Sequence, residues 1–556
     1  MSRRTGAQIL VDQLRIHGAD TVFCVPGESY LAVLDALYDV NSIRLVTCRQ
    51  EGGAAMMADA YGKLTGEPGL CMVTRGPGAT NASAGLHVAR QDSTPLILFI
   101  GQVARDTVER EAFQEIDYRR MFGQLAKWVA EIDDPRRIPE FLSRAYHTAT
   151  SGRPGPVVLS LPEDMLTETV DVADAQPYTP VETWPGEAPM ARLRELLAEA
   201  KRPFLLLGGS AWDAEGVAAV ERFAAANHLP VGCGFRRQDR FDNAHPCYAG
   251  DVGIGLNPAL AQRVKESDLL IALGPRLGEM TTGGYTLIDL PTPRQRLVHI
   301  HADPEELGRV YQPALAINAT PRAFARAAAE LKPIDNPPWA AATEAAHRDF
   351  LAWRRPPRSP GEIQMGEIVL WLDEHLPPDA IVTNGAGNFA TWVHRFHRYR
   401  RFGSQLAPTS GSMGYGFPAA VAAKIVHPER TVLCVAGDGD FLMTGQELAT
   451  AVHRRLGVIV LIVNNGMYGT IRMHQERHHP GRVIGTELFN PDFVALARAY
   501  GAYGEAVERT ADFPAAFERA RAAGVPAILD LRIDPEALTI RQSLSEIRTA
   551  ALAAAH

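Results

Sequence analysis

The sequence predicts an α/β protein of three doubly wound parallel-sheet domains, on three observations. A chain of 556 residues exceeds one domain at roughly 150 residues each. Short apolar runs of strand length alternate with helix-like stretches from end to end, the pattern of parallel sheets flanked by helices. Two proline-rich stretches, Pro177 to Pro185 and Pro333 to Pro360, break that alternation and read as linkers. The expected domains are 1–175, 188–332 and 361–540.

In the first, the strands are Thr21 to Val25, Ile43 to Thr47, Leu70 to Thr74, Leu96 to Ile100 and Val157 to Leu161, with a helix over Glu51 to Leu64. The second carries Phe204 to Leu207, Leu269 to Leu273 and Leu297 to Ile300. The third carries Ile381 to Thr383, Val432 to Val435, Val458 to Val463 and Ala527 to Leu531. Trp339 to Trp353, inside the second linker, has the makings of a helix.

Composition narrows the function. Lys plus Arg is 56 against 64 for Asp plus Glu, a net charge of −8, so there is no basic footprint for nucleic acid. The fractions, 46% hydrophobic and 22% charged, are those of a folded globular chain. Apolar runs such as Leu456 to Val463 fall far short of the ~20 residues that span a bilayer. Met1-Ser-Arg-Arg-Thr leads into an amphipathic pattern without an apolar signal segment, so a soluble, cytoplasmic protein without membrane contact is expected. The six cysteines form no C-x-x-C pair, and several sit in apolar runs as small hydrophobes.

The sharpest motif is Gly437-Asp438-Gly439, followed after 24 residues by Asn464-Asn465. Each half ends an apolar strand, with a plausible helix, Gly445 to Arg455, between. In such a βαβ unit the two strand ends lie together at the edge where open α/β sheets bind ligands. The residue types suit a magnesium diphosphate, since Mg2+ takes one or two carboxylates and leaves other positions to phosphates. Asp438 offers a charged oxygen, Asn465 an amide oxygen and Met467 a backbone carbonyl. The glycines let N–H groups approach phosphate, and a helix start favours an anion. Either half alone reads equally as a turn or a cap; the pair, at this spacing on two strand ends, does not.

With this motif the chain resembles the thiamine diphosphate enzymes related to acetohydroxyacid (acetolactate) synthase, pyruvate oxidase and benzoylformate decarboxylase. The resemblance runs through Val25-Pro-Gly27, Arg49-Gln-Glu-Gly-Gly53, Thr74-Arg-Gly-Pro-Gly-Ala-Thr-Asn81, Ala112-Phe-Gln-Glu-Ile-Asp117, Gly152-Arg-Pro-Gly-Pro-Val-Val158, Val298-His-Ile-His-Ala-Asp-Pro304 and Gly411-Ser-Met-Gly-Tyr-Gly-Phe-Pro418. It implies a pyrimidine-binding, a central Rossmann-like and a diphosphate-binding domain in that order, with thiamine diphosphate and Mg2+ as cofactors. Glu51 takes the family's place for the carboxyl that drives the aminopyrimidine to its imino form; on sequence alone it would be an acid at a helix start. Met413 takes the place of the bulky residue beneath the cofactor. Pro26, Gly27, Gly387, Asn388, Gly411, Gly437, Gly439, Asp440 and Tyr468 complete the expected cofactor contacts. Glu51 of one chain would serve the site around Asp438 of another, implying a homodimer or homotetramer.

The resemblance is greatest to the acetolactate synthase branch, which decarboxylates pyruvate and joins the two-carbon unit to a second 2-oxo acid. Gly101-Gln-Val-Ala104 and Phe113-Gln-Glu115 carry it, with Gln114 as a polar pocket residue. Two departures stand out. The branch's Arg-Phe-Asp-Asp-Arg run, whose last arginine holds the second acid's carboxylate, is here Arg276-Leu-Gly-Glu-Met280. A methionine cannot replace a bidentate clamp. His474 stands where those synthases carry tryptophan. A decarboxylase or lyase acting on another 2-oxo or 2-hydroxyacyl compound is therefore the alternative, and a non-catalytic cofactor-binding subunit a third reading. Glu28 and Tyr30 are substrate contacts or surface residues, and Ile471, Met280 and His474 complete the expected pocket. His474, His478 and His479 read as a solvated helix end rather than a metal site. In relatives the central domain holds FAD, ADP or nothing, and Gly253-Ile-Gly255 is too short for a dinucleotide fingerprint.

Overall fold

All twelve expected strands are present in the computed structural model, which describes residues 3–554. They belong to three six-stranded sheets in which, among the described residues, every strand pairing is parallel. The chain divides into two compact units, Met1–Val181 with Val421–Val426, and Glu182–Ala420 with His427–His556.

The first unit holds β1 (Thr21–Cys24), β2 (Arg44–Thr47), β3 (Gly69–Val73), β4 (Leu96–Gln102), β5 (Trp128–Glu131) and β6 (Pro156–Pro162), in the order β2-β1-β3-β4-β6-β5. β1, β3, β4 and β6 are buried along their whole length, which is why they read as unbroken aliphatic runs. The helix Glu51–Thr65 starts where the Gln50 side chain accepts from Gly53 N–H (2.9 Å) and stops at left-handed Gly66. It packs on helix Pro77–Asp92 through small residues: a Cβ on Gly85 would lie 2.4 Å from that of Ala55.

The second unit holds two sheets. In the central one, β7 (Pro203–Leu207), β8 (Val231–Gly234), β9 (Tyr248–Val252), β10 (Leu269–Leu273), β11 (Arg296–His301) and β12 (Leu315–Asn318) take the order β9-β8-β7-β10-β11-β12, the dinucleotide-fold arrangement. The last sheet, β13 (Ile381–Asn384), β14 (Gln405–Leu406), β15 (Val432–Gly437), β16 (Val458–Asn464), β17 (Tyr503–Val507) and β18 (Ala527–Arg532), runs β14-β13-β15-β16-β18-β17. Counted within its own sheet, that is the strand order of the first.

Three expectations need correction. The second linker is largely central domain: helix Ala340–Trp353 buries Trp339 and Phe350 in that core, and Trp339 Nε1–H donates to Asn227 O (2.9 Å). The last domain runs past 540, because helix Leu544–Ala554 docks Leu544 and Ile547 against Met473 and Leu538. The helix expected over Gly445 to Arg455 is a short 3-10 turn, Gly445–Glu447, leading into Leu448–His453. Among the described residues no helix is long and apolar enough to cross a membrane, and all six cysteines are buried outside any disulfide.

Candidate cofactor site

In the last sheet the strand order reverses between β13 and β15, and ligands of doubly wound sheets bind outside the strand ends at such a point. Parallel register sets Gly437 beside Val463, so the next residues, Asp438 and Asn464, emerge side by side. The loops after β13, β14, β15 and β16 close around a cavity of about 230 Å3. Gly387, Asn388, Gly411, Met413, Gly437, Asp438, Gly439, Asp440, Asn465, Met467, Tyr468 and Ile471 all line it. Sequence reasoning had named each of these twelve.

Asp438 is buried, with 2% of its surface exposed. Burial pushes its carboxyl pKa up, against the pull of the groups that donate to it. Oδ1 accepts from Gly439 N–H (3.0 Å), and Oδ2 accepts from Gly466 N–H (2.8 Å) and Asn490 Nδ2 (2.7 Å). Asn490 Nδ2 also donates to Asn464 Oδ1 (3.0 Å), tying both strand ends together. Sequence reasoning missed Asn490, since Asn490-Pro-Asp492 reads only as the approach to helix Phe493–Tyr500.

The donor set suits a hard, oxygen-seeking cation carried in with phosphates. Asp438 lines the cavity beside Asn465 and Met467, whose amide oxygen and backbone carbonyl are the neutral partners at hand. Among the described residues no three His, Cys, Asp or Glu side chains cluster to hold a metal. The backbone also fits a diphosphate. The short helix at Asp438–Phe441 and the helix Phe389–Phe396 both begin at the cavity wall, where N–H groups lack intrahelical partners. A Cβ on Gly439 would lie 2.6 Å from the Tyr468 ring, so only glycine lets these loops close.

Asp440 serves the loops themselves. Its Oδ1 accepts from Ala386 N–H (3.1 Å) and Gly414 N–H (2.9 Å), clamping the loop after β13 to the one that carries Met413. Burial lifts its carboxyl pKa to about 7 against those bonds. Asn388 is likewise engaged: its N–H donates to Thr470 Oγ1 (3.0 Å) and its Nδ2 to Leu538 O (3.2 Å). Leu538, Ala537 and Ile533 form an apolar wall that no motif announced.

Known proteins point the same way. Residues 4–121, 190–328 and 385–531 match, respectively, the N-terminal TPP binding domain, the central domain and the C-terminal TPP binding domain of thiamine pyrophosphate enzymes. The chain belongs to the thiamine pyrophosphate enzymes. It is 33% identical over 536 residues to the acetolactate synthase isozyme 2 large subunit of Escherichia coli K12, covering 95% of each chain. It is 32% identical to the acetolactate synthase large subunit of Corynebacterium glutamicum (96% of this chain, 88% of the relative). To that of Parasynechococcus marenigrum it is 34% identical (90% and 83%). It is thus a thiamine diphosphate-dependent enzyme of transferase or lyase type in the acetolactate synthase branch.

In the first unit of this thiamine pyrophosphate enzyme, the strand order reverses between β1 and β3, and the loop after β1 meets the loop after β3 there. A Cβ on Gly27, the residue after Pro26, would lie 2.3 Å from that of Thr74, so the two loops touch. Glu51 opens its helix half-buried, with Oε2 accepting from Asn81 Nδ2 (2.9 Å) and Oε1 3.3 Å from where a Gly78 side chain would begin. Gln114, in left-handed conformation (φ 67°), packs on Gly76 of the loop after β3.

Tyr30 corrects its expectation, being neither a surface residue nor a free pocket group. It is 2% exposed, and its hydroxyl donates to Val25 O (2.6 Å), which fixes the turn that presents Pro26 and Gly27. Glu28 is exposed, at the start of the 3-10 turn Glu28–Tyr30. His474 points to solvent, its ring stacked parallel on His478, and it does not line the cavity although Ile471 of the same helix does. Met280 is half-buried in the loop after β10 and is also absent from that lining.

Proposed function

We propose that this enzyme decarboxylates a 2-oxo acid, with pyruvate the first substrate to test, and joins the resulting two-carbon unit to a second 2-oxo acid. The observation that carries this is one cavity walled by the loops after β13, β14, β15 and β16; the Glu51 carboxyl, held by Asn81 Nδ2, supports it. Bound thiamine diphosphate would supply a carbon nucleophile that doubles as an electron sink. Asp438, Asn465 and the Met467 carbonyl would hold its diphosphate through Mg2+. The loops clamped by Asp440 would keep Met413 beneath the cofactor, and Glu51 would share a proton with the pyrimidine ring nitrogen.

Glu51 would come from a neighbouring copy, making the working form a homodimer or homotetramer. Fully exposed Phe489 and largely exposed Ile484, beside the loop that carries Asn490, support a covered surface there. The alternative, a decarboxylase or lyase on another 2-oxo or 2-hydroxyacyl compound, is favoured by Met280, which offers no charge to a second carboxylate.

Incubation with thiamine diphosphate, Mg2+ and pyruvate should yield CO2 and acetolactate. CO2 without acetolactate, or a donor turned over much faster than pyruvate, would favour the alternative; inertness toward every 2-oxo acid with cofactor bound would defeat both.

A further inference from the structure

A second cavity, of about 380 Å3, lies in the unit of Glu182–Ala420 with His427–His556, between the end of β9 and helix Phe389–Phe396. Three arginines line it: Arg395, Arg477 and Arg541. Arg395 lies face-on over Trp353, its Cζ 3.7 Å from the ring centroid, and its Nε donates to Trp353 O (2.9 Å). Arg541 approaches the same ring, at 4.9 Å. Among the described residues none of the three forms an ion pair, and burial plus the Arg541 charge pull Arg395 down to about 10.

Two further polar groups face the cavity with bonding capacity to spare. Asp251 Oδ1 is buried without a partner, and burial holds that carboxyl up at about 8. His394 contacts Gln238 Oε1 through Nδ1 (2.9 Å), leaving a buried Nε2 without a partner. Arg395 is half-buried while Arg477 and Arg541 reach solvent, and each guanidinium presents a planar fork of donors. One carboxylate satisfies one fork; the oxygens of a tetrahedral phosphoryl group can serve two. The volume suits a small molecule, and Asp251 with His394 can pair with a hydroxyl.

We propose that this cavity is a second binding site, for the phosphoryl group of a small hydroxylated phosphate ester. It is separate from the diphosphate cradle, from which one helix divides it. Asn388 lines both cavities, Phe389 and Trp392 face the first, and Thr391, His394 and Arg395 face the second.

The test uses holoenzyme saturated with thiamine diphosphate and Mg2+, so that the cradle is filled, titrated calorimetrically with glycerol 3-phosphate, inorganic phosphate and malonate at constant ionic strength. Glycerol 3-phosphate should bind saturably, near one per chain. Arg395→Gln and Arg541→Gln should each weaken it by about tenfold or more, with thiamine diphosphate affinity unchanged. Asp251→Asn should weaken the ester but not inorganic phosphate. Inorganic phosphate binding as tightly as the ester would overturn the ester and keep the phosphoryl site. The proposal as a whole falls if no phosphate saturates by about 10 mM, if malonate binds tightest, or if both arginine variants bind like the parent. The readout is binding alone, so its failure is distinguishable from failure of the 2-oxo acid reading.

Discussion

Asp438 would be a poor metal ligand without Asn490. Its Oδ2 is held by the Asn490 amide and Gly466 N–H, which fixes the orientation of the carboxyl. Groups that orient a metal ligand typically carry a 10–100-fold effect on affinity. Asn490→Ala should therefore raise the thiamine diphosphate and Mg2+ dissociation constants by about that factor, while Asn490→Asp, which puts a second carboxylate against Asp438, should be worse; titration of cofactor into apoenzyme decides. Glu51→Gln should retain cofactor binding, because the diphosphate grip lies elsewhere, yet slow C2–H exchange of the bound cofactor by about 100-fold or more. Exchange at the parental rate would remove Glu51 from its role. Asp438 and Asn465 were legible in the sequence because a carboxylate and an amide on two apolar strand ends have few structural uses. Asn490 was not, because it is 52 residues from Asp438 and sits where asparagine ordinarily introduces a helix. Tyr30 misled for the opposite reason: its position beside Pro-Gly suggested a pocket, but its hydroxyl is spent on Val25 O.

Secondary structure was legible in proportion to burial on both faces. Five of the six missed long-sheet strands, β5, β9, β12, β14 and β17, lie at sheet edges; β5, β12 and β17 are only partly buried, so the aliphatic run breaks up, and β14 is two residues long. The sixth, β8, is Val-Gly-Cys-Gly, and the ring of Phe204 fills the space a side chain on Gly232 would need. The C-terminal helix carries only Leu544 and Ile547 as buried residues, too few for a periodic apolar face, and its other anchor is ionic. Glu476, on helix Gly469–His478, accepts from Arg548 through both oxygens (2.6 and 2.8 Å) and from Gly481 N–H (2.9 Å). Those bonds, led by Arg548, hold its carboxyl down at about 2. A depressed carboxylate contributes stability that is complete above its ordinary pKa of about 4.3 and is lost as pH falls toward 2. Hydrogen exchange across 544–554, corrected for the intrinsic rate at each pH, should thus accelerate below about pH 4 and hold steady from 6 to 8. Arg548→Ala should accelerate it at pH 7, by about 1–2 kcal/mol once screening at a part-exposed arginine is allowed for. In the first unit, Gly85→Val would drive a branched side chain into Ala55 and cost about 3 kcal/mol or more, read as a lowered melting temperature.

At the scale of the molecule, the first and last sheets share one strand order and the central sheet has another. The shared order places a switch point in each, one presenting Glu51 and Pro26-Gly27, the other Asp438 and Asn465. On the proposed reading a single cofactor would be held at its two ends by separate domains of different subunits, and the oligomer would be part of the mechanism. Sedimentation should find a dimer or tetramer, and monomeric enzyme with full activity would exclude a shared site. The most direct measurement is complementation. Glu51→Gln and Asp438→Asn enzymes, each inactive, are unfolded, mixed in equal amounts and refolded together. If the two residues serve one site from different subunits, half of the dimers are mixed, each with one intact site, and activity should return to about a quarter of the parent's. If mixtures stay as inactive as either variant alone although mixed dimers have formed, Glu51 and Asp438 do not meet across a subunit boundary.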